Sequence, residues 1–176
     1  MIIKGKVKRI YKPDGSDNDI NTDYIISGRY KFKIEDPKEL GKHIFEDLNP
    51  NFVEKISPGD ILVAGKNFGC GSSREQAPLA IKSAGIMAII AQSFARIFYR
   101  NAFNLALPLI ECETKNIQED DFLEIDLEKG IVKNLTKRGN HLNKEIKIKP
   151  LPKMMLELLK TGGLVEYFKK YKGFNF

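Results

Sequence analysis

Between an apolar run, Asp60 to Ala64 (DILVA), and a helical pattern, Glu75 to Ala84, lies GKNFGCGSSRE, with three glycines in seven positions. Glycines at this density permit left-handed turns and close approach of the backbone to other groups. The pattern predicts a strand that hands over to a helix through a tight loop. A second apolar run, Ile86 to Ala91, reads as a short, fully buried strand. An amphipathic helix over Phe94 to Leu105 and a strand over Leu107 to Glu111 continue the alternation. Strands and helices in this order predict an α/β fold.

The flanks add strands. Residues 2 to 11 alternate apolar and basic, with Ile3, Val7 and Ile10 among Lys4, Lys6 and Lys8, and predict a half-exposed strand. Pro13 to Asn18 is a turn cluster around Asp14-Gly15, and DINTDYIIS is a polar loop that runs into a short apolar segment. Asp36-Pro37 starts a helix, with KELGKHIFEDL as its amphipathic stretch and Leu40, Ile44 (or His43) and Leu48 on one face. FLEIDL, IVKNL and KEIKIK, divided by Gly130 and by Arg138-Gly139-Asn140, read as three strands. A helix from Pro152 to about Lys160, Gly162-Gly163 and a last helical segment follow. At 176 residues the expectation is one domain, 1–176, with a more β-rich flank.

Composition narrows the function classes. No apolar run approaches the ~20 residues of a membrane span, and the N-terminal stretch MIIKGKVKRIYK has no signal-peptide pattern. The two cysteines, Cys70 and Cys112, form no CxxC, which argues against a disulfide scaffold and a self-sufficient cysteine-held metal site. The expected compartment is the cytosol. The net charge of +6 favours anionic partners, yet only six of the 29 basic residues are arginine and the lysines are scattered. Nucleic-acid surfaces cluster their basic residues, so nucleic-acid binding is not expected.

The chemistry concentrates in Lys66 to Glu75. Glycine amides, the start of a helix, two hydroxyls (Ser72 and Ser73) and the Arg74 guanidinium together suit a small carboxylate or phosphate. A second reading of the same residues needs no ligand: Ser72-x-x-Glu75 is a capping box, with Glu75 as a cap. A P-loop does not fit, because Gly71 stands where GxxxxGK[ST] requires lysine. A Ser-His-Asp triad does not fit either, because neither His43 nor His141 has a G-x-S-x-G elbow to serve. Cys70 reads as a small residue packed in a glycine turn, and Arg96, Arg100 and Asn101 as surface, ion-paired or partner-facing positions on a helix.

NFGCGSSREQAPLAIKSAGI, with DINTDYII upstream and SFARIFYRNAFN downstream, closely resembles the small subunits of the isopropylmalate isomerase and homoaconitase group of the aconitase superfamily. The resemblance covers nearly the whole chain. It implies the swivelling β/β/α domain of aconitase as a separate polypeptide. It also implies a larger partner subunit that carries a [4Fe–4S] cluster on three cysteines, with no metal ligand in this chain. The activity implied is reversible dehydration and rehydration of a hydroxy di- or tricarboxylic acid, at a site between the subunits. By resemblance Ser72 is the general base for the carbon-bound proton, and Ser73 and Arg74 bind a substrate carboxylate.

The same resemblance points to a substrate loop. Homoaconitase-type relatives read Tyr-Leu-Arg-Thr there, whereas isopropylmalate types carry an apolar residue at the arginine position. This chain reads Tyr30-Lys31-Phe32-Lys33-Ile34. Phe32 at the deciding position favours an alkyl substituent, since it would leave a carboxylate unpaired. An extra residue before Asp36-Pro37 shifts the register and places Lys33 there instead, where it would hold a carboxylate. Ser27 also departs from the family's usual proline. Isopropylmalate is thus the expected substrate, with homoaconitate and the dimethylmalate or citramalate types as alternatives.

Overall fold

The computed structural model describes residues 1–30, 33–136 and 145–173. Phe32 and the Arg138-Gly139-Asn140 turn lie outside the described residues. Seven strands form one mixed sheet: β1 (Ile2–Arg9), β2 (Ile61–Val63), β3 (Ala88–Ala91), β4 (Leu109–Glu111), β5 (Phe122–Asp126), β6 (Ile131–Asn134) and β7 (Glu145–Lys147), in the order β4-β3-β2-β1-β5-β6-β7. β1 to β4 run parallel to their neighbours, and β1, β5, β6 and β7 pair antiparallel. β1 is therefore the seam between the two halves.

Six helices accompany the sheet: α1 (Thr22–Ile25), α2 (Pro37–Gly41), α3 (Gln76–Ser83), α4 (Arg96–Asn104), α5 (Lys153–Thr161) and α6 (Leu164–Tyr171). α2 packs on α3, α3 on α4, and α4 on both α5 and α6. Every residue of β2 and β3 is buried, as their unbroken apolar runs predict for parallel strands. Phe68, Ile61, Leu62, Ile81 and Ile89 are among the largest fully buried side chains. The glycine loop therefore grows out of the best-packed part of the core.

Three local expectations change. The DINTDYIIS loop contains a helical turn, α1, because the Asn21 side chain accepts from the Tyr24 N–H (2.9 Å) and caps it. The helix begun at Asp36-Pro37 does start there, with Asp36 capping Lys38, but stops at Gly41. At Gly41 the backbone presses on α3: a Cβ there would lie 2.8 Å from the Ala84 nitrogen. The chain beyond runs in turns, with Phe45 at φ 57, while Leu40 and Ile44 stay buried.

The third change concerns α3. It begins at Gln76 with Glu75 at the N-cap position, and no side-chain capping bond forms. The capping box therefore does not exist. Pro78 supplies the physical reason: a helix begun at Ser73 would need the missing Pro78 N–H to reach the Arg74 carbonyl. Starting at Gln76 puts Pro78 within the first turn, where no donor is required.

Candidate active site

Three loops leave the carboxyl ends of β1, β2 and β3 and knit together there, the edge at which open α/β sheets place their ligands. The Gly69 N–H donates to the Ile20 carbonyl (2.8 Å), and the Thr22 N–H donates to the Cys70 carbonyl (2.9 Å). On the other side the Phe68 N–H donates to the Ser93 carbonyl (3.0 Å), and the Ala95 N–H to the Phe68 carbonyl (2.9 Å). The glycine loop is thus stitched to DINTDYII on one flank and to SFARI on the other. Phe68 anchors it from below, fully buried and edge-on to both Phe94 and Phe98. Gly69 has φ 77, and a Cβ on it would meet the Phe98 ring at 2.2 Å, so only glycine fits.

The loops enclose a cleft of about 220 Å³. Gly69, Gly71, Ser72, Ser73 and Arg74 form one wall, and Ala95, Arg96, Ile97 and Phe98 face them from the start of α4. Ser72 and Ser73 are exposed, and neither hydroxyl has a hydrogen-bond partner among the described residues. Ser72 is held through its main chain, because the hydroxyl of the buried Thr22 donates to its carbonyl (2.9 Å). The helix start that faces the cleft belongs to α4, not to α3 as the sequence suggests. Its Ala95 cap has no side-chain hydrogen bond, and the first-turn N–H groups lack intrahelical acceptors. The positive end of that helix favours negative charge in the cleft.

Arg74 is mostly buried. Its guanidinium donates to the Ile26 carbonyl (3.1 Å) and pairs with Asp23, while its Nε is buried without an acceptor. Asp23 is therefore a positioning residue that holds Arg74 across from α4. Neither Asp23 nor Thr22 was singled out in the sequence; both stand within DINTDYII, but nothing in their spacing marks them. Arg96 was read as a surface or partner-facing residue, and it lines the cleft.

Lys33 is exposed and is not among the residues that line the cleft. Its segment starts beside the site: a Cβ on Gly28 would stand 3.9 Å from an Arg74 guanidinium nitrogen. A polar cluster anchors that segment just before Lys31. The Tyr30 ring stacks on His43 (4.1 Å between centroids), and the Tyr30 hydroxyl donates to Glu46 (2.8 Å). Glu46 is also bonded to His43 Nδ1 (2.8 Å), and Arg29 reaches Asp47 (2.6 Å). The Tyr30 hydroxyl and His43 hold the Glu46 carboxyl below its usual range, and Glu46 in turn pushes the Tyr30 hydroxyl up.

A [4Fe–4S] cluster does not fit this chain. Cys70 lies after β2 and Cys112 after β4, both as free thiols. Burial pushes both thiols up, Cys112 to about 11, which works against the thiolate a cluster needs. Among the described residues no three His, Cys, Asp or Glu side chains form a metal-binding group.

Residues 35–115 match the aconitase C-terminal domain family. The 3-isopropylmalate dehydratase small subunit of Caldicellulosiruptor saccharolyticus is 54% identical over 171 residues, 96% of this chain and 92% of that one. Small subunit 2 of the same enzyme from Archaeoglobus fulgidus is 54% identical over 154 residues, 88% of this chain and 90% of that one. The crystal structure of 3-isopropylmalate dehydratase (leuD) from Methanocaldococcus jannaschii superposes with a TM-score of 0.86 at 46% identity, covering 98% and 96% of the two chains. Aconitase X from Thermococcus kodakaraensis, at 16% identity and a TM-score of 0.50 over 85% and 91%, shares the fold. With half of its residues identical to these relatives over nearly its full length, the chain belongs to the family of 3-isopropylmalate dehydratase small subunits.

Proposed function

We propose that this chain, a single domain over 1–176, completes the active site of a hydro-lyase that interconverts 2-isopropylmalate and 3-isopropylmalate in leucine biosynthesis. The observation that carries the reading is the convergence of DINTDYII, GKNFGCGSSRE and SFARI on one cleft. The enzyme works as a pair of subunits: the cleft is open, and the larger subunit closes it. That partner holds the [4Fe–4S] cluster, which supplies Lewis-acid chemistry. No described helix is long and apolar enough to cross a membrane, and the proposed compartment is the cytosol.

In this mechanism Ser72 takes the carbon-bound proton as the double bond forms and the hydroxyl group leaves; rehydration on the neighbouring carbon reverses the transfer. A serine hydroxyl is a weak base by itself. The glycine amides beside it and the first turn of α4 across the cleft stabilise its alkoxide. Ser73 and Arg74 hold one substrate carboxylate, with Arg74 kept in place by Asp23. Phe32 faces the alkyl branch, and Lys33 flanks it at the mouth.

An anaerobic hydration assay tests this. The chain is co-expressed with its aconitase-type large subunit, and loss of ultraviolet absorbance is followed for isopropylmaleate, dimethylmaleate, citraconate and homoaconitate. The expected result is a clear preference for isopropylmaleate. Preferential turnover of homoaconitate would overturn the alkyl assignment and place a cation, Lys33, at the substrate's variable end.

A further inference from the structure

The charges that line the cleft do not balance the proposed substrate. Arg74 and Arg96 are the two charged side chains on its walls. Arg74 is already paired with Asp23, and its guanidinium also serves the Ile26 carbonyl. The Arg74–Asp23 pair adds almost no net charge. An isopropylmalate dianion set against it would give up water at two carboxylates with one partly occupied guanidinium to receive them, which is costly. Arg96 is the uncompensated cation of the cleft. It is exposed, has no ion pair or hydrogen bond among the described residues, and is the first residue of α4. The Ala95 N–H bond to the Phe68 carbonyl and the Phe98 packing against Phe68 fix the backbone on both sides of it.

Resting on the functional reading above, we propose that Arg96 is a second substrate-binding arginine. Its guanidinium takes the carboxylate that Ser73 and Arg74 do not hold. The two carboxylates are then received from opposite walls, one at the glycine loop and one at the start of α4, with the reacting carbons beside Ser72. The fork geometry suits a carboxylate, and an exposed guanidinium is free to turn toward it.

The test uses the assembled two-subunit enzyme. Arg96→Gln, a substitution at an exposed position that leaves the fold intact, is compared with Arg96→Lys and wild type. KM and kcat are measured for 3-isopropylmalate, and subunit affinity is measured by titration calorimetry. Losing a charge-assisted hydrogen bond predicts a ten- to hundredfold rise in KM for Arg96→Gln, on the order of the strength of such bonds. Arg96→Lys, which keeps the charge and loses the fork, falls between. Subunit affinity stays within about twofold of wild type, a change below ~0.4 kcal/mol. A KM within twofold of wild type would overturn the assignment, as would a KM rise matched by lost subunit affinity, which marks a docking contact. An inactive wild-type complex would sink the functional reading and this assignment together; an active one with an unmoved Arg96→Gln sinks the assignment alone.

Discussion

The two halves of the sheet are built from different strands and do different things. β2 and β3 are buried at every residue, whereas β5 alternates, with Leu123 and Ile125 inward and its remaining residues partly or fully exposed. Parallel strands covered on both faces read as unbroken apolar runs; antiparallel strands with one wet face read as alternation. The outward positions of the antiparallel half carry cross-strand ion pairs in register, Lys4 with Glu124 (2.7 Å) and Lys133 with Glu145 (3.0 Å). All the loops that build the cleft come from the parallel half. A sheet edge where parallel strands end together brings loops distant in sequence into contact. The hairpins of the antiparallel half return the chain locally and contribute surface instead.

The sharpest way to test this division is Ser72→Ala against Leu123→Ala. The serine change is expected to lower kcat by about a hundred- to ten-thousandfold, the range for losing a positioned base, with unchanged subunit assembly by gel filtration. Leu123→Ala, in a fully buried position of β5, is expected to cost ~2–5 kcal/mol in urea unfolding. The turnover of its folded fraction should match wild type. A comparable loss of kcat in both variants would break the comparison.

Gly69→Ala joins the two effects, because it places a Cβ against the Phe98 ring at a left-handed residue. A loss of ~3 kcal/mol in unfolding free energy is expected from overpacking and backbone strain together, accompanied by loss of turnover in the assembled enzyme. Arg74→Lys should raise KM about tenfold, since a lysine cannot serve Asp23, Ile26 and a carboxylate with a fixed fork. Unchanged KM would remove Arg74 from the binding site.

The smallest effect concerns the Tyr30–His43–Glu46 anchor. The Glu46 carboxyl is held below its usual range, so its contribution is present above the ordinary glutamate pKa of about 4.3 and fades as pH falls through the lower folded value. Melting temperature followed from pH 6 to pH 3 should fall less steeply for Glu46→Gln than for wild type. Parallel curves would show that this cluster does not anchor the segment leading to Phe32.

Much of the fold is legible from the chain because its signals are local. The apolar runs of β2 and β3, the alternation in β1, the Asp36-Pro37 start of α2 and the Gly162-Gly163 break between α5 and α6 all act through neighbouring residues. Pro78 was legible too: it forbids a helix that starts at Ser72, and weighing it would have removed the capping box in favour of a freely presented serine. The early end of α2 was not legible, because Gly41 stops there against the backbone of α3, a contact between residues about forty positions apart.

The site divides in the same way. The sequence by itself determined which residue types are available, Ser72, Ser73 and Arg74 on a glycine loop, and that the loop must turn left-handed. Only the tertiary structure decided what faces them. It pairs Arg74 with Asp23, pins the Ser72 carbonyl with the Thr22 hydroxyl, and swings Arg96 and the start of α4 to the opposite wall. The reason is geometric: glycines and prolines act on their own backbone, whereas a cleft is made where the ends of parallel strands gather loops from separate stretches of the chain.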